Sequence, residues 1–262
     1  MIVPIMSTLI IFILVLSLLV FVHELGHFVM AKRMGMKVEE FGFGFPPRAW
    51  GFKRAGTTYS VNWIPLGGFV KIKGESGEHA TESDSFASKK AWQRFVVLIS
   101  GVAMNLVLAA VLYWVGFMVG LPSVIDEQIP DNARVSEEAI VILEVLPESP
   151  AARAGVVEGD EIVSIDGRVF TRDNEARSYI AAQGQDGVEV VVSGTDESYR
   201  TYTLTSEPLA QVGITGVGLG FVTTGIVSYP FFQAIAQGVW TTGELTLRIV
   251  QAFYGLIREL VV

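Results

Sequence analysis

The chain contains no cysteine. A disulfide framework is excluded, and so is a thiolate metal site: any metal must be held by imidazole and carboxylate. Charge is scarce as well. Only 18% of the 262 residues are Asp, Glu, Lys or Arg, against about 25% in an ordinary soluble chain. Half of the residues are hydrophobic and the mean hydropathy is +0.46, which points to membrane segments and a lipid bilayer as partner. Membrane helices alone would not use up the chain, which leaves room for a globular domain of about 100 residues. The net charge of −8 argues against nucleic acid as a partner.

The first apolar run, Ile2 to Val22, has no charged residue. Roughly 20 such residues span a bilayer core of about 30 Å. It is not a secretory leader, because no basic stretch precedes it and no small-x-small cleavage site follows. Instead it continues into His23-Glu24-Leu25-Gly26-His27. On a helix, residues four apart share one face, so His23 and His27 can bind one Zn²⁺ while Glu24 serves as general base toward water. Ionisable groups inside a membrane helix are expensive and are functional by default.

Charge divides the rest of the chain. Residues 32–94 hold eleven Lys/Arg and six Asp/Glu, a balance of +5; residues 122–230 hold six and eighteen, a balance of −12. Between them Phe95–Leu121 is free of charge. Since cytoplasmic loops are rich in Lys/Arg, 32–94 is expected in the cytoplasm and the acidic region outside. The third apolar stretch carries Glu244, Arg248, Arg258 and Glu259. It reads as a membrane span with a Glu244–Arg248 helical pair, or as an interfacial helix anchored by Trp240. The divisions are therefore 1–36, first helix; 37–94, cytoplasmic β region and loop; 95–121, second helix; 122–228, outer domain; and 229–262, third segment.

In the cytoplasmic region, Tyr59–Ile64 and Leu66–Lys73 alternate like strands around a Gly-broken turn. Phe41, Phe43, Phe45, Trp50, Phe52 and Trp63 make it too aromatic for a free loop. It is either a small sheet packed on itself or a membrane-associated sheet beside the zinc, whose edge holds an unwound substrate. Residues 76–90 are polar and read as a flexible stretch, with His79 as a solvated histidine.

The outer region reads as a small α+β domain. Ser149–Gly155 suits a short helix closed by glycine, Glu161–Ile165 a strand, and Asp166-Gly167 a hairpin turn into another strand from Arg168. Asp173–Gln183 suits a helix. Val188–Val192 and Tyr199–Leu204 suit paired strands around Gly194-Thr195-Asp196.

The pattern SPAARAG…GDEIVSIDG resembles a bacterial-type PDZ domain, which implies binding of a peptide or chain end as an added strand. With HELGH, Gly42-Phe43-Gly44-Phe45-Pro46, Ile64-Pro65-Leu66-Gly67-Gly68-Phe69 and Gly101-Val102-Ala103-Met104-Asn105 in order, nearly the whole chain resembles the site-2 protease family in its PDZ-containing branch. The resemblance implies a polytopic α-helical membrane protein with a cytoplasmic membrane-associated β-hairpin sheet and an inserted α+β PDZ domain. It also implies a multi-pass location in the bacterial inner membrane. The activity implied is regulated intramembrane proteolysis: zinc-dependent cleavage of membrane-spanning substrates such as anti-sigma factors or signal-peptide remnants. It makes Glu24 catalytic and His23 and His27 zinc ligands. Gly101 and Asn105 become active-site neighbours, and Gly42, Gly44, Pro65, Gly67 and Gly68 substrate-handling residues. One feature departs from the pattern. The family's third ligand is an Asp in a later helix, and here no Asp follows Asp196. The implied enzyme therefore lacks its third-ligand helix within these residues. The alternative is a catalytically inactive membrane-anchored PDZ binding protein.

Overall fold

A computed structural model describes residues 2–125, 129–130, 133–194, 196–209 and 213–261. The chain forms two compact units, Met1–Leu112 with Gly238–Val262, and Tyr113–Gln237.

The first unit opens with α1, Ile2–Arg33. Helix stops where Gly35 turns left-handed at φ 68°. There Met36 N–H reaches Ala31 O and Gly35 N–H reaches Lys32 O, at 2.9 and 3.1 Å, the bonding of a Schellman cap. Lys32 and Arg33 sit at the negative end of the helix dipole.

Strands β1, Val38–Arg54, and β2, Thr57–Ile72, follow. Each is used twice. Val38–Phe43 runs antiparallel to Gly68–Ile72, while Glu40–Phe43 also lies beside Thr58–Val61 with both numbers rising. Arg48–Arg54 folds back antiparallel on Thr57–Asn62 through the Ala55-Gly56 turn, where both residues have positive φ, 47° and 79°. The expected pair of strands is thus a sheet of four segments with Leu66–Ile72 at one edge.

The stretch after it is not a loose tether. Lys37 N–H donates to Asp84 O and Phe86 N–H to Lys73 O. Lys73 Nζ bonds Asp84 at 2.9 Å and also Glu82. Ser85 is fully buried, and Phe86 joins a cluster with Ala31, Met36, Val38, Ile72 and Val97. The polar sequence concealed this, because backbone bonds and the single Phe86 side chain hold the stretch without any apolar periodicity. His79 is exposed as expected, beside Glu82 at 2.6 Å.

Helix α2, Ala91–Val119, starts four residues before the expected Phe95. Of the described helices, α1 from Met6 and α2 are long and apolar enough to cross a membrane. Helix α5, Phe231–Val261, is one continuous helix in which Arg248 pairs with Glu244 at 2.6 Å on an exposed face.

The second unit holds a six-stranded antiparallel sheet ordered β3-β10-β4-β5-β6-β7. The strands are β3 Leu121–Val124, β4 Arg134–Val145, β5 Glu161–Ile165, β6 Val188–Ser193, β7 Tyr199–Leu204 and β10 Leu219–Ser228. The short pair β8 Glu207–Leu209 and β9 Ile214–Gly216 stands apart. Helices α3, Pro150–Ala154, and α4, Asp173–Gln183, complete the unit. Alternation puts Val188, Val190 and Val192 inward, where they join Ile140, Ile142, Ile165 and Leu204 in the core. Ser149 caps α3 through Ala152 N–H and Gly155 ends it at φ 85°. The strand expected from Arg168 is reduced to one bridge, Ile165↔Arg168, because the turn closes on itself through Arg168 N–H to Ile165 O. Of the expected Gly194-Thr195-Asp196 turn, Thr195 lies outside the described residues.

Candidate metal centre

His23 and His27 lie one turn apart on α1, with ring centroids 4.8 Å apart and planes at 77°. Both face α2. A Cβ built on Gly101 would stand 2.5 Å from His23 Nε2 and 2.6 Å from His27 Nε2. The two donor atoms therefore converge on one place that only glycine leaves open.

The opposite ring atoms support that reading. His27 Nδ1 is 2.7 Å from Val97 O. A carbonyl only accepts, so Nδ1 carries the proton and Nε2 keeps its lone pair. His23 Nδ1 lies 3.4 Å from Asn105 Nδ2, while Asn105 Oδ1 is buried with no partner. A half-turn of the amide gives the orphan oxygen an N–H donor at His23 Nδ1 and frees Nε2 in the same way. Two neutral imidazoles with backed Nδ1 atoms fit a zinc ion. Among the described residues no third His, Asp or Glu joins them.

Helix packing makes the site. A Cβ on Gly26 would meet Ser100 O at 2.3 Å, so the glycine inside HELGH lets α2 cross α1 in contact. Glycine inside a helix costs about 1 kcal/mol against alanine. That cost was the signal that Gly26 is a contact residue, and it was passed over. The Val97 carbonyl was missed because no residue type announces a backbone acceptor.

Sheet edge and site also meet. The Leu66–Ile72 edge packs on α1 beside the motif. A Cβ on Gly67, at φ 71°, would lie 2.6 Å from Val20, and one on Gly68 3.2 Å from Phe21. Those glycines press the edge onto α1 just before His23. Ser17 donates to Pro65 O at 2.7 Å, which pins the strand further up the helix. Gly42 and Gly44 do not reach the imidazoles. Their Cβ positions are filled by Phe69 and Ser60, and by Ile64 O, so they serve the sheet. Phe21, Phe43, Trp50, Phe52 and Tyr59 line an apolar cleft of about 180 Å³.

A second cleft of about 290 Å³ lies within the other unit, between α4 and the start of β10. Gly218 closes it at φ 81°, where a Cβ would collide with Ser149 at 2.1 Å.

A profile of peptidase family M50 matches residues 11–261. The chain belongs to this family. It is 32% identical over 263 residues to a protein of Helicobacter pylori (strain J99) named as a candidate zinc metalloprotease, covering 94% of this chain and 70% of that one. Identity to the zinc metalloprotease Rip1 of Mycobacterium tuberculosis is 30%, covering 94% and 66%. A further candidate zinc metalloprotease, from Clostridium perfringens, is 34% identical over 93% of this chain and 66% of its own length. The chain thus spans roughly two thirds of these relatives. A solved PDZ domain of an SdrC-like protein from Listeria monocytogenes aligns at 22% identity and TM-score 0.30, over 34% of this chain and 92% of that one. By membership this is a zinc metalloprotease.

Proposed function

We propose that this chain carries the catalytic base, two metal ligands and the substrate-presenting edge of an intramembrane protease. The enzyme cleaves single-pass membrane proteins, such as anti-sigma factors or signal-peptide remnants, in regulated intramembrane proteolysis. The observation that carries this reading is the convergence of His23 Nε2 and His27 Nε2 on the Gly101 cradle, inside a helix apolar enough to cross a bilayer.

His23 and His27 hold the metal, each oriented from behind by Asn105 or the Val97 carbonyl. A zinc ion held by these two imidazoles would supply Lewis-acid polarisation of the scissile carbonyl and of a water. Glu24 takes the proton of the attacking water and passes it to the leaving amine. The Leu66–Ile72 strand edge offers backbone hydrogen bonds to a substrate segment that has left its own helix. This matters because a helical peptide bond is shielded by its own bonding. Residues 32–94 face the cytoplasm and the second unit faces outside, where it receives a peptide end.

In the full-length protein, Glu24→Gln abolishes cleavage of a model membrane substrate and keeps zinc, while His23→Ala and His27→Ala lose both. Substantial turnover by Glu24→Gln would remove the assignment. A cysteine at Ser83 stays shielded from an impermeant thiol reagent in intact cells and one at Ser193 is labelled; the opposite pattern would reverse the orientation. The competing reading, an inactive membrane-anchored PDZ binding protein, predicts wild-type protein without turnover that still binds peptide ends.

A further inference from the structure

The two faces of the first unit's sheet differ in character. On one, Arg48 and Ser60 both donate to the Glu40 carboxylate. The other is aromatic. Trp50 and Phe52, opposite Val61 and Tyr59, share it with Phe41 and Phe43. Phe52 stacks on Tyr59 at 5.3 Å, Tyr59 meets Phe28, and Phe41 and Phe43 both meet Phe21. The cleft of about 180 Å³ lies among these rings, where Trp50 and Phe52 stay 61% and 46% exposed. It is not part of the metal centre. Two residues turn a helix by about 200°, so Phe21 points to the side of α1 away from His23. Arg48–Arg54 is also the sheet edge farthest from Leu66–Ile72, about 14 Å off at three strand spacings.

One end of the cleft is cationic. Lys32 Nζ lies 3.2 Å from Thr57 Oγ1, whose own hydrogen goes to Val38 O at 2.9 Å, and the ammonium keeps N–H groups to spare. Arg54 pairs with Thr57 and follows Phe52 by two residues, so it shares the aromatic face. Among the described residues neither cation has a carboxylate partner, and Glu39 and Glu40 of β1 are taken by Lys71 and Arg48. Phe28 and Phe21 stand about 6 and 17 Å from Lys32 along the axis of α1. The outer edge of Arg48–Arg54 pairs with no other strand among the described residues, so its backbone groups need polar neighbours beside the rings. The ligand that meets all of these demands is an amphiphile, negative at the Lys32 end and apolar along the rings.

We propose that this cleft binds one anionic phospholipid, with the phosphate between Lys32 and Arg54 and one acyl chain laid along Phe52, Tyr59 and Phe21. This rests on the membrane-spanning reading of α1 given above. Lys32 follows the apolar run and so stands at the depth of the headgroups, the layer in which Trp and Tyr side chains such as Trp50 and Tyr59 settle. A zwitterionic headgroup brings a cation of its own to a place that already holds two, whereas a headgroup of net negative charge does not. A substrate segment is the poorer occupant, because in this cleft it would lie across α1 from the imidazoles.

The test uses the whole chain with Trp63, Trp92, Trp114 and Trp240 replaced by Phe, which leaves Trp50 to report. The vesicles carry phosphatidylglycerol or phosphatidylcholine brominated near the ester end, and bromine quenches the indole on contact. Half-quenching needs about tenfold less brominated phosphatidylglycerol than phosphatidylcholine, the order of contrast that two interfacial cations give. Lys32→Gln with Arg54→Gln removes the contrast, while Lys53→Gln with Lys90→Gln, the same loss of charge elsewhere, keeps it. Native mass spectrometry of the unaltered chain, washed in detergent with both lipids, shows the same preference without the tryptophan changes. Equal quenching by both lipids, or a contrast lost equally in both double variants, overturns the lipid site and leaves the membrane reading standing. Quenching that appears only on diluting the protein assigns the cleft to a second copy and also overturns the lipid site. No quenching by either lipid at any dilution overturns the placement of this sheet at the membrane and this inference with it.

Discussion

The two units solve opposite solvent problems. In Tyr113–Gln237 the large aliphatic side chains are inside: Ile142, Ile165, Val188, Val190 and Val192 are fully buried. In the other unit they are outside. Phe12, Leu14, Leu98 and Val107 are between 56% and 63% exposed on α1 and α2, while Ser17, Thr57, Ser60, Asn62 and Ser100 are buried and hydrogen-bonded. A hydrocarbon surround rewards that inversion, since apolar atoms gain nothing by hiding from lipid whereas an unpaired polar group there costs several kcal/mol. The lesson concerns where specificity resides. In the second unit it lies in apolar packing; in the first it lies in glycines that bring helices and strands into contact, and in the few polar groups those contacts pair.

The sharpest way to break this comparison is at Gly101. Adding one methyl by Gly101→Ala puts a carbon within 2.6 Å of both Nε2 atoms. Zinc loading should fail and cleavage by the full-length protein should drop at least about 100-fold, as misplacement of catalytic groups by about 1 Å does. The thermal transition of the second unit should not move. Retained zinc, read by elemental analysis, would mean that α2 lies farther away than described.

Next in size is a matched pair of truncations. Ile142→Ala should destabilise the second unit by about 2–5 kcal/mol, the usual cost of emptying a core site. Leu14→Ala removes a similar volume from an exposed site on α1 and should change stability in detergent by less than about 1 kcal/mol. Equal losses by denaturation would show that α1 is buried against protein.

Gly67→Ala comes third. The residue is left-handed, which costs a non-glycine about 1–2 kcal/mol, and its Cβ would strike Val20. The Leu66–Ile72 edge should lift from α1, so hydrogen exchange at Phe69–Ile72 should rise and cleavage should slow. Exchange that is unchanged would separate the edge from the helix.

The smallest effect is electrostatic. Hydrogen bonds from Lys73 hold the Glu82 and Asp84 carboxyls below their ordinary values. Groups with lowered folded values stabilise above the ordinary carboxylate range and lose that contribution as pH falls through the folded values. Limited proteolysis of residues 74–90 should therefore accelerate at acid pH in wild type. Lys73→Met should remove most of that dependence and cut faster at neutral pH. A protease profile without pH dependence in wild type would show that the backbone bonds alone hold this segment.

Much of the candidate site was legible, and for a local reason. His23, Glu24 and His27 are fixed to one helical face by their spacing, so no distant contact is needed to group them. Gly101 and Asn105 came only from resemblance to a family, because nothing local says which atoms they face. The sheet was half legible: alternation marked Tyr59–Ile64 and Leu66–Lys73 but could not reveal that β1 pairs with both. The stretch at 76–90 reads as flexible but is packed, since its order comes from Lys37 meeting Asp84 and Phe86 meeting Lys73 across sequence distance.

What the sequence by itself determined was periodic and compositional: two lipid-compatible helices, a motif at four-residue spacing, the charge imbalance between regions, and a second unit whose turns are marked by Gly155 and Gly167. These follow from backbone geometry and transfer energies, which act residue by residue. Tertiary structure alone decided that both imidazoles aim at Gly101, that Gly67 seats the strand edge against Val20, and that Ser17 meets Pro65 O. Each of those is a meeting of groups far apart in the chain, and its position depends on the packing of whole elements, which no local pattern encodes.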